Sequence, residues 1–432
     1  MPARPQGLGA WLAHVEALHP RGSAGIELGL ARVEQVAARL GQHAFCPVIL
    51  VGGTNGKGST CAMLERILLA AGYRVGLYTS PHLLRYNERV RIDAVAVDDD
   101  RLSAAFARVE QARGDIALTY FEFGTLAAWE VFADVRPDAI VLEVGLGGRL
   151  DATNIYSPDC AIVTGIDLDH MDFLGPDRES IGREKAGIFR SGTVAICGDP
   201  KPPQSLTDHA AAIGADLRLI GRDFGYQRQE QQWLYWGRPT PGGELVRRGG
   251  LAFPALRGER QLGNAACVLT ALDALRDRLP VAMQDIRRGL GEVELAGRFQ
   301  VLPGRPAVVL DVAHNPQAAR VLAANLGDMG FHRHTWAVFG MLADKDIDGV
   351  IDALRERVTH WLPCTLEGPR AASADSLASR LRAQDLTVAG VFESPEQALV
   401  WAQEKAGQDD RILAFGSFLT VAAALQLLGR TA

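Results

Sequence analysis

The sequence predicts an α/β protein built from two domains, and three observations carry that reading. The first is length: 432 residues exceed one ordinary core, at a prior of one domain per ~150 residues. The second is a series of short apolar runs alternating with helical stretches between Val48 and Cys197. The third is another such series that begins near Arg298. Alternation of this kind predicts a doubly wound, mostly parallel sheet in the N-terminal part, with a small antiparallel subdomain attached, and a second α/β domain after it.

The elements follow in order. VILVGG from Val48 reads as a buried strand, Ser59 to Ala71 as a helix, and VGLYTS from Val75 to Ser80 as the next strand. A helical pattern covers Phe121 to Ala133. Strand-like runs follow at Ala139–Val144 (AIVLEV), Cys160–Gly165 (CAIVTG) and Thr193–Cys197 (TVAIC). Between Leu217 and Phe253 the character changes to alternating aromatic and polar residues, as in DFGYQRQEQQWLYWG, which predicts the antiparallel subdomain. In the second series VVLDVA, WAVFG, WLPC, VAGVF and RILAFGS are five buried-strand candidates. Gly and Pro punctuate GLGEVELAGRFQVLPGRP, which places the domain boundary between Leu290 and Pro306.

Composition narrows the function classes. Hydrophobic residues make up 47% and charged residues 22%, a globular balance with no signature of disorder. A net charge of −6 with acids and bases interspersed offers no broad footprint for nucleic acid or an anionic membrane, so any phosphate is expected to be bound locally. The six cysteines are scattered without a C-x-x-C pair, and no apolar run reaches the ~18 residues that span a bilayer. A reduced, cytoplasmic chain without an export leader is the expectation.

VGGTNGKGST, from Val51 to Thr60, stands directly after a strand and directly before a helix. It reads as a phosphate-binding loop: glycines let the backbone wrap an oxyanion, the helix N-terminus attracts it, and Lys57 supplies a point charge. ATP is the expected ligand. The spacing departs from G-x-x-x-x-G-K-[ST], since Val51 takes the first glycine position and Gly58 separates Lys57 from Ser59. A Gly-rich turn that binds nothing is the alternative.

Such a loop needs Mg²⁺, a hard cation that takes oxygen ligands. Glu143 lies inside AIVLEVGLGG, a costly place for a carboxylate unless it meets a cation or a paired donor. His170, with Asp167 and Asp169, follows CAIVTG, and Ser80 ends VGLYTS, both at the carboxyl edge where α/β sheets bind ligands. Arg149, Asp151, Thr153 and Asn154 crowd behind the glycines of VGLGGRLDATN and form a polar loop that either closes over substrate or hydrogen-bonds to itself. In the second domain LDVAHNP places Asp311, His314 and Asn315 at a strand end. No G-x-S-x-G turn accompanies any serine, so no nucleophilic triad is expected.

Together GTNGKGST, TSPHLLRYNERVRI, TYFEFGTLAAWEVF, EVGLGGRLDATN, TGIDLDHMDFLG, EKAGIF, LDVAHNP and FGSFLTV resemble the Mur ligase superfamily, and within it the bacterial dihydrofolate synthase/folylpolyglutamate synthase family. The blocks run in order over nearly the whole chain, from about Ile26 to Val421. The resemblance implies an N-terminal P-loop ATPase domain over residues 1–296, carrying the phosphate loop, metal and pterin sites, and a C-terminal Rossmann-like glutamate-ligase domain over 297–432. It further implies that ATP phosphorylates a carboxylate and that the amino group of L-glutamate attacks the acyl phosphate. A carboxylate is a poor electrophile, and a phosphate on its oxygen makes a good leaving group.

Residue by residue, the resemblance assigns Asn55, Gly56, Lys57, Gly58, Ser59 and Thr60 to ATP, with Asn264, Arg298 and Asp311 as further nucleotide contacts. Ser80, Glu143 and His170 match magnesium ligands. Lys185, in EKAGIF, matches a lysine that is carbamylated to bind a second ion. Lys57, Lys185, Asp311 and His314 are the expected catalytic set, with His314 and Ser417 near glutamate and the reacting phosphate. Gly25, Ile26, Glu27, Phe121, Glu122, Phe123, Leu150, Asp151, Ala152 and Thr153 fall on the pterin pocket. Lys345, in GMLADKD, is a further candidate, and Arg260 stands where the family often has His ahead of Gln261 and Asn264.

The implied partners are dihydropteroate, tetrahydrofolate and its polyglutamates, and L-glutamate, handled by a monomer with ATP, two Mg²⁺ ions and a monovalent cation such as K⁺. Two other readings stay open. A cell-wall precursor ligase would use the same ATP machinery, although the loop begins at Val51 and leaves no room ahead of it for a nucleotide-sugar domain. A P-loop protein that binds nucleotide without joining anything would lack a use for LDVAHNP and FGSFLTV.

Overall fold

The computed structural model describes residues 5–19, 22, 25–240, 242–258 and 260–430. The chain divides into two compact units, one of Met1–Pro81, Asn87–Pro254 and Leu262–Val293, the other of His82–Tyr86, Ala255–Gln261 and Glu294–Ala432.

The first unit opens with helices α1 (Leu8–Ala17) and α2 (Ala31–Leu40), then β1 (Val48–Gly52), α3 (Lys57–Ala70) and β2 (Val75–Tyr78). A hairpin of β3 (Val90–Ile92) and β4 (Val95–Ala96) leads to α4 (Asp99–Arg113), α5 (Tyr120–Val135) and β5 (Ala139–Glu143). Next come β6 (Cys160–Val163), α6 (Met171–Leu174), α7 (Arg178–Ala186), β7 (Val194–Cys197), α8 (Gln204–Ile213) and β8 (Asp216–Leu219). The sheet runs β4-β3-β2-β5-β1-β6-β7-β8, parallel from β2 to β8 and antiparallel only at the β3–β4 edge. β1 and β5 are buried at every position, as their unbroken apolar runs require of parallel strands covered on both faces. From β1 the chain crosses to β2 on one side and, after β5, to β6 on the other. β1 is therefore the topological switch point, and a ligand crevice is expected beyond its carboxyl end.

Two strands refine the sequence expectation. The antiparallel subdomain was expected from Leu217, but Asp216–Leu219 is β8, which pairs parallel with β7 at the edge of the main sheet. With only one neighbour it is incompletely buried, so it reads as alternating. The three-stranded antiparallel sheet comprises β9 (Phe224–Arg228), β10 (Trp233–Gly237) and β11 (Val246–Leu251). Helices α9 (Arg260–Ala274) and α10 (Met283–Glu292) follow, and α10 packs on α3 so closely that a Cβ on Gly289 would come within 2.6 Å of Ile67 Cα.

The second unit holds β12 (Gln300–Leu302), β13 (Ala307–Asp311), α11 (Pro316–Asp328), β14 (Thr335–Phe339), α12 (Ile347–Leu354) and β15 (His360–Pro363). It closes with α13 (Ala374–Ala383), α14 (Pro395–Lys405), β16 (Arg411–Phe415) and α15 (Phe418–Leu427). Its sheet runs β12-β13-β16-β14-β15, all parallel except β12. Four of the five strand candidates are strands. VAGVF instead makes two isolated bridges to β15's line, Trp361↔Val388 and Cys364↔Phe392, broken at Gly390, where the Phe392 ring lies against the glycine. The fifth strand is β12, short and half-buried, which leaves no long apolar run in the sequence. Two apolar clusters form this unit's core, one around Phe339, Trp361 and Phe415, the other around Leu310, Leu362 and Leu425.

Candidate active site

The loop after β1 joins strand to helix in the way its sequence requires. Gly53 and Gly56 have φ of 140° and 96°, conformations open to glycine. A Cβ on Gly53 would strike Thr164 Oγ1, and one on Gly56 would lie 2.7 Å from Asn264 Oδ1. The end of β6 and the start of α9 therefore crowd this loop, with Asn264 beside Gly56. Helix α3 starts at Lys57, two residues before the expected Ser59, so the lysine occupies the first helical position. Its Nζ donates to the carbonyls of Gly53 at 3.0 Å and Thr54 at 3.3 Å, drawing the ammonium across the loop. Ser59 and Thr60 are buried, and the Thr60 hydroxyl has no hydrogen-bond partner.

The loop is clamped to the end of β6. Thr54 N donates to Gly165 O at 2.7 Å, Thr54 Oγ1 bonds both Asp167 N and Asp167 O at 3.1 Å, and Thr164 Oγ1 donates to Asn55 O at 2.8 Å. Asp199, buried beyond β7, accepts from Ile166 N at 2.8 Å and Arg178 Nη2 at 3.0 Å, tying the stretch that leads to His170 to the start of α7. His170 itself has a left-handed backbone, φ 50°, uncommon for a residue other than glycine and often a mark of a functional turn. On the other side of β1, Val51 pairs with Glu143. Glu143 is buried, with Oε2 3.4 Å from Ser80 N, so these two come together as the sequence suggested.

Among the described residues no three His, Cys, Asp or Glu side chains form a ready metal cage. The candidates at these strand ends are one hydroxyl, one buried carboxylate and one imidazole, and in the first turn of α3 the Thr60 hydroxyl is orphaned. That donor set suits Mg²⁺, which keeps waters and phosphate oxygens in its shell. Lys185 on α7 is buried. Desolvation and then the charge of Lys57 push its ammonium down to about 7, so above that pH its amine is mostly neutral.

The polar loop after β5 hydrogen-bonds to itself and to the end of α7. Asp151 accepts from Thr153 Oγ1 at 2.6 Å, Thr153 N at 3.0 Å and Leu146 N at 2.8 Å, while burial pushes its carboxyl up. Ala152 and Thr153 are buried with it, Leu150 is half-buried, and Asn154 donates to Arg149 O at 3.1 Å and Gly187 O at 3.0 Å. Of the aromatic stretch, Phe123 belongs to the core, edge-on to Phe106 at 5.4 Å. Phe121 is half-buried, 5.9 Å from the Tyr78 ring and packed over Gly145, so it is the one that reaches the loop after β5. Glu122 is buried in a capping box with Thr119, and Arg32 joins it to Glu27.

In the second unit Asp311 accepts from Phe299 N and Ala313 N, both at 2.8 Å; burial pushes its carboxyl up and Arg298 opposes the shift. Arg298 lies 5.0 Å over the Phe418 ring, and His314, with Nδ1 2.9 Å from Val312 O, stands 6.3 Å from the same ring. Ser417 caps α15 by accepting from Leu419 N at 3.2 Å, and Asn315 caps α11. β13 and β16 are neighbours, so these caps put two helix N-termini, favourable to anions, side by side. Lys345 is half-buried in the turn after β14. Sequence reasoning passed over Thr54, Thr164, Asp199 and Arg32. Polar residues at the ends of apolar strands signal the first three, whereas nothing local signals Arg32.

Comparison with known proteins identifies the family. Residues 51–223 match the Mur ligase middle domain and residues 297–418 the Mur ligase glutamate ligase domain. The chain is 46% identical over 422 residues to the Escherichia coli (strain K12) dihydrofolate synthase/folylpolyglutamate synthase, covering 98% of this chain and 95% of that one. A Haemophilus influenzae protein of the same name is 39% identical, with 96% of each chain covered. The solved structure of E. coli FolC in complex with DHPP and ADP gives a TM-score of 0.91 at 45% identity over 99% of both chains. A bifunctional folylpolyglutamate synthase/dihydrofolate synthase with Mn, AMPPNP and L-glutamate bound gives 0.88 at 46% identity, again over 99% of both. On these matches, the chain belongs to the dihydrofolate synthase/folylpolyglutamate synthase family of the Mur ligases.

Proposed function

We propose that this chain is an ATP-dependent ligase that adds L-glutamate to 7,8-dihydropteroate, giving dihydrofolate, and to the γ-carboxylate of reduced folates, giving folylpolyglutamates, through an acyl phosphate. The observation that carries the reading is the phosphate loop at the switch point, with Lys57 across it and buried Glu143 beside Ser80, in a chain of this family. The reading assigns residues 1–296 to nucleotide, metal and pterin, and 297–432 to the glutamate-ligase domain. It takes the protein to be a cytoplasmic monomer; no helix among the described residues is long and apolar enough to cross a membrane.

In this reading Asn55 to Thr60 hold the ATP phosphates with backbone amides and the Lys57 ammonium, while Asn264, Arg298 and Asp311 orient the nucleotide. Ser80, Glu143 and His170 hold one divalent ion, Lys185 once carboxylated holds a second, and K⁺ assists. A bound metal neutralises charge on the transferring phosphoryl group. His314 and Ser417 position glutamate and the reacting phosphate at the paired helix N-termini. Gly25–Glu27, Phe121–Phe123 and Leu150–Thr153 frame the pterin, with Phe121 as the aromatic wall and the other buried side chains shaping the loops around it.

The deciding experiment measures phosphate release with MgATP and L-glutamate in the presence of 7,8-dihydropteroate, tetrahydrofolate or no acceptor. Release with both pterins, and products one glutamate heavier, is expected. Release with neither would overturn the ligase reading. For Lys185, isotopically labelled bicarbonate is expected to give a carbamate signal by NMR above the pH at which the amine becomes neutral, and Lys185→Arg to abolish it. Absence of the signal in the unaltered protein would leave only one metal site.

A further inference from the structure

Arg32, at the start of α2, reaches two separate parts of the first unit. Its Nη1 donates to Glu27 Oε1 at 2.5 Å, and its Nη2 donates to Glu27 O at 2.9 Å and to Glu122 Oε1 at 3.0 Å. The two carboxylates differ in kind. Glu27 is 56% exposed on its side chain, and an ion pair there contributes little by itself. Glu122 is only 5% exposed and already caps α5, its Oε2 accepting from Thr119 N at 2.8 Å. Removing Arg32 would leave a buried carboxylate short of its charged donor.

The segment that Arg32 holds has no regular secondary structure from Gly25 to Leu30. His19 supports its start: the ring lies against Gly25, and Nε2 is 3.8 Å from Glu27 Oε2. Arg32 links this segment to α5, whose first turn carries Phe121 toward Gly145. The planar guanidinium bridges a main-chain carbonyl and two carboxylates at once, which a lysine, a single point charge, cannot reproduce.

We propose that Arg32 is a positioning residue for the acceptor: it staples the Gly25–Glu27 segment to the N-terminus of α5, and so sets affinity for the pterin while leaving the phosphate loop unaffected. The inference rests on the pterin assignment made under the proposed function. Arg32→Ala is expected to raise KM for dihydropteroate and tetrahydrofolate about tenfold, with KM for ATP and kcat within about twofold. Arg32→Lys is expected to fall between, and it replaces the alanine variant as the test if that variant fails to fold.

Amide hydrogen exchange of the ligand-free protein reads the staple independently of turnover. Faster exchange over residues 25–30, with α3 unchanged, is expected for Arg32→Ala. Unchanged exchange there, unchanged pterin KM, or a parallel rise in KM for ATP would each overturn the proposal. If the unaltered protein releases phosphate with neither pterin, the ligase reading fails, and the exchange result still decides whether Arg32 is a staple.

Discussion

Replacing Lys57 by alanine is expected to lower kcat for phosphate release by about 100- to 1,000-fold, the usual cost of removing one group aimed at developing charge. Lys57 is half-buried, and its ammonium bonds the carbonyls of Gly53 and Thr54 in its own loop rather than a distant element. The melting temperature should therefore hold while activity falls. A second readout follows from the Lys185 environment: the charge of Lys57 helps to depress the Lys185 ammonium, so its loss should raise that pKa and move Lys185 reactivity to higher pH. Unchanged turnover in Lys57→Ala would remove the loop from the reaction.

Glu143→Gln is expected to cut kcat about 100-fold and to shift the Mg²⁺ titration to about tenfold higher concentration, because one ligand charge is lost while shape is kept. Glu143 accepts from Ser80 N at 3.4 Å, and the amide of glutamine keeps an oxygen for that bond, so the fold should survive the change. An unaltered Mg²⁺ titration combined with a marked loss of stability would make Glu143 part of a structural pair.

Both predictions concern residues that the sequence by itself singles out. Val51 to Thr60 forms one local unit, in which the glycine conformations, the strand before and the helix after all follow from neighbours in the chain. Ser80, Glu143 and His170 each end or follow an apolar run, and a parallel sheet necessarily gathers such ends at one edge. The same logic misplaced VAGVF, because an apolar run cannot show that Gly390 and the Phe392 ring interrupt the pairing. It also could not separate Phe121 from Phe123, neighbours on α5 of which one faces the loop after β5 and the other the core.

Local chemistry thus determined the α/β class, the phosphate loop and the strand-end candidates, because each depends on side chains within a few residues of one another. Tertiary structure decided what long-range contacts decide: that Asn264 stands over Gly56, that burial and Lys57 depress Lys185, that Asp151 and Thr153 satisfy each other, and that Arg32 meets Glu122 90 residues away. Hydrogen bonding and desolvation depend on distance in space, and only the packed chain brings such distant residues within reach.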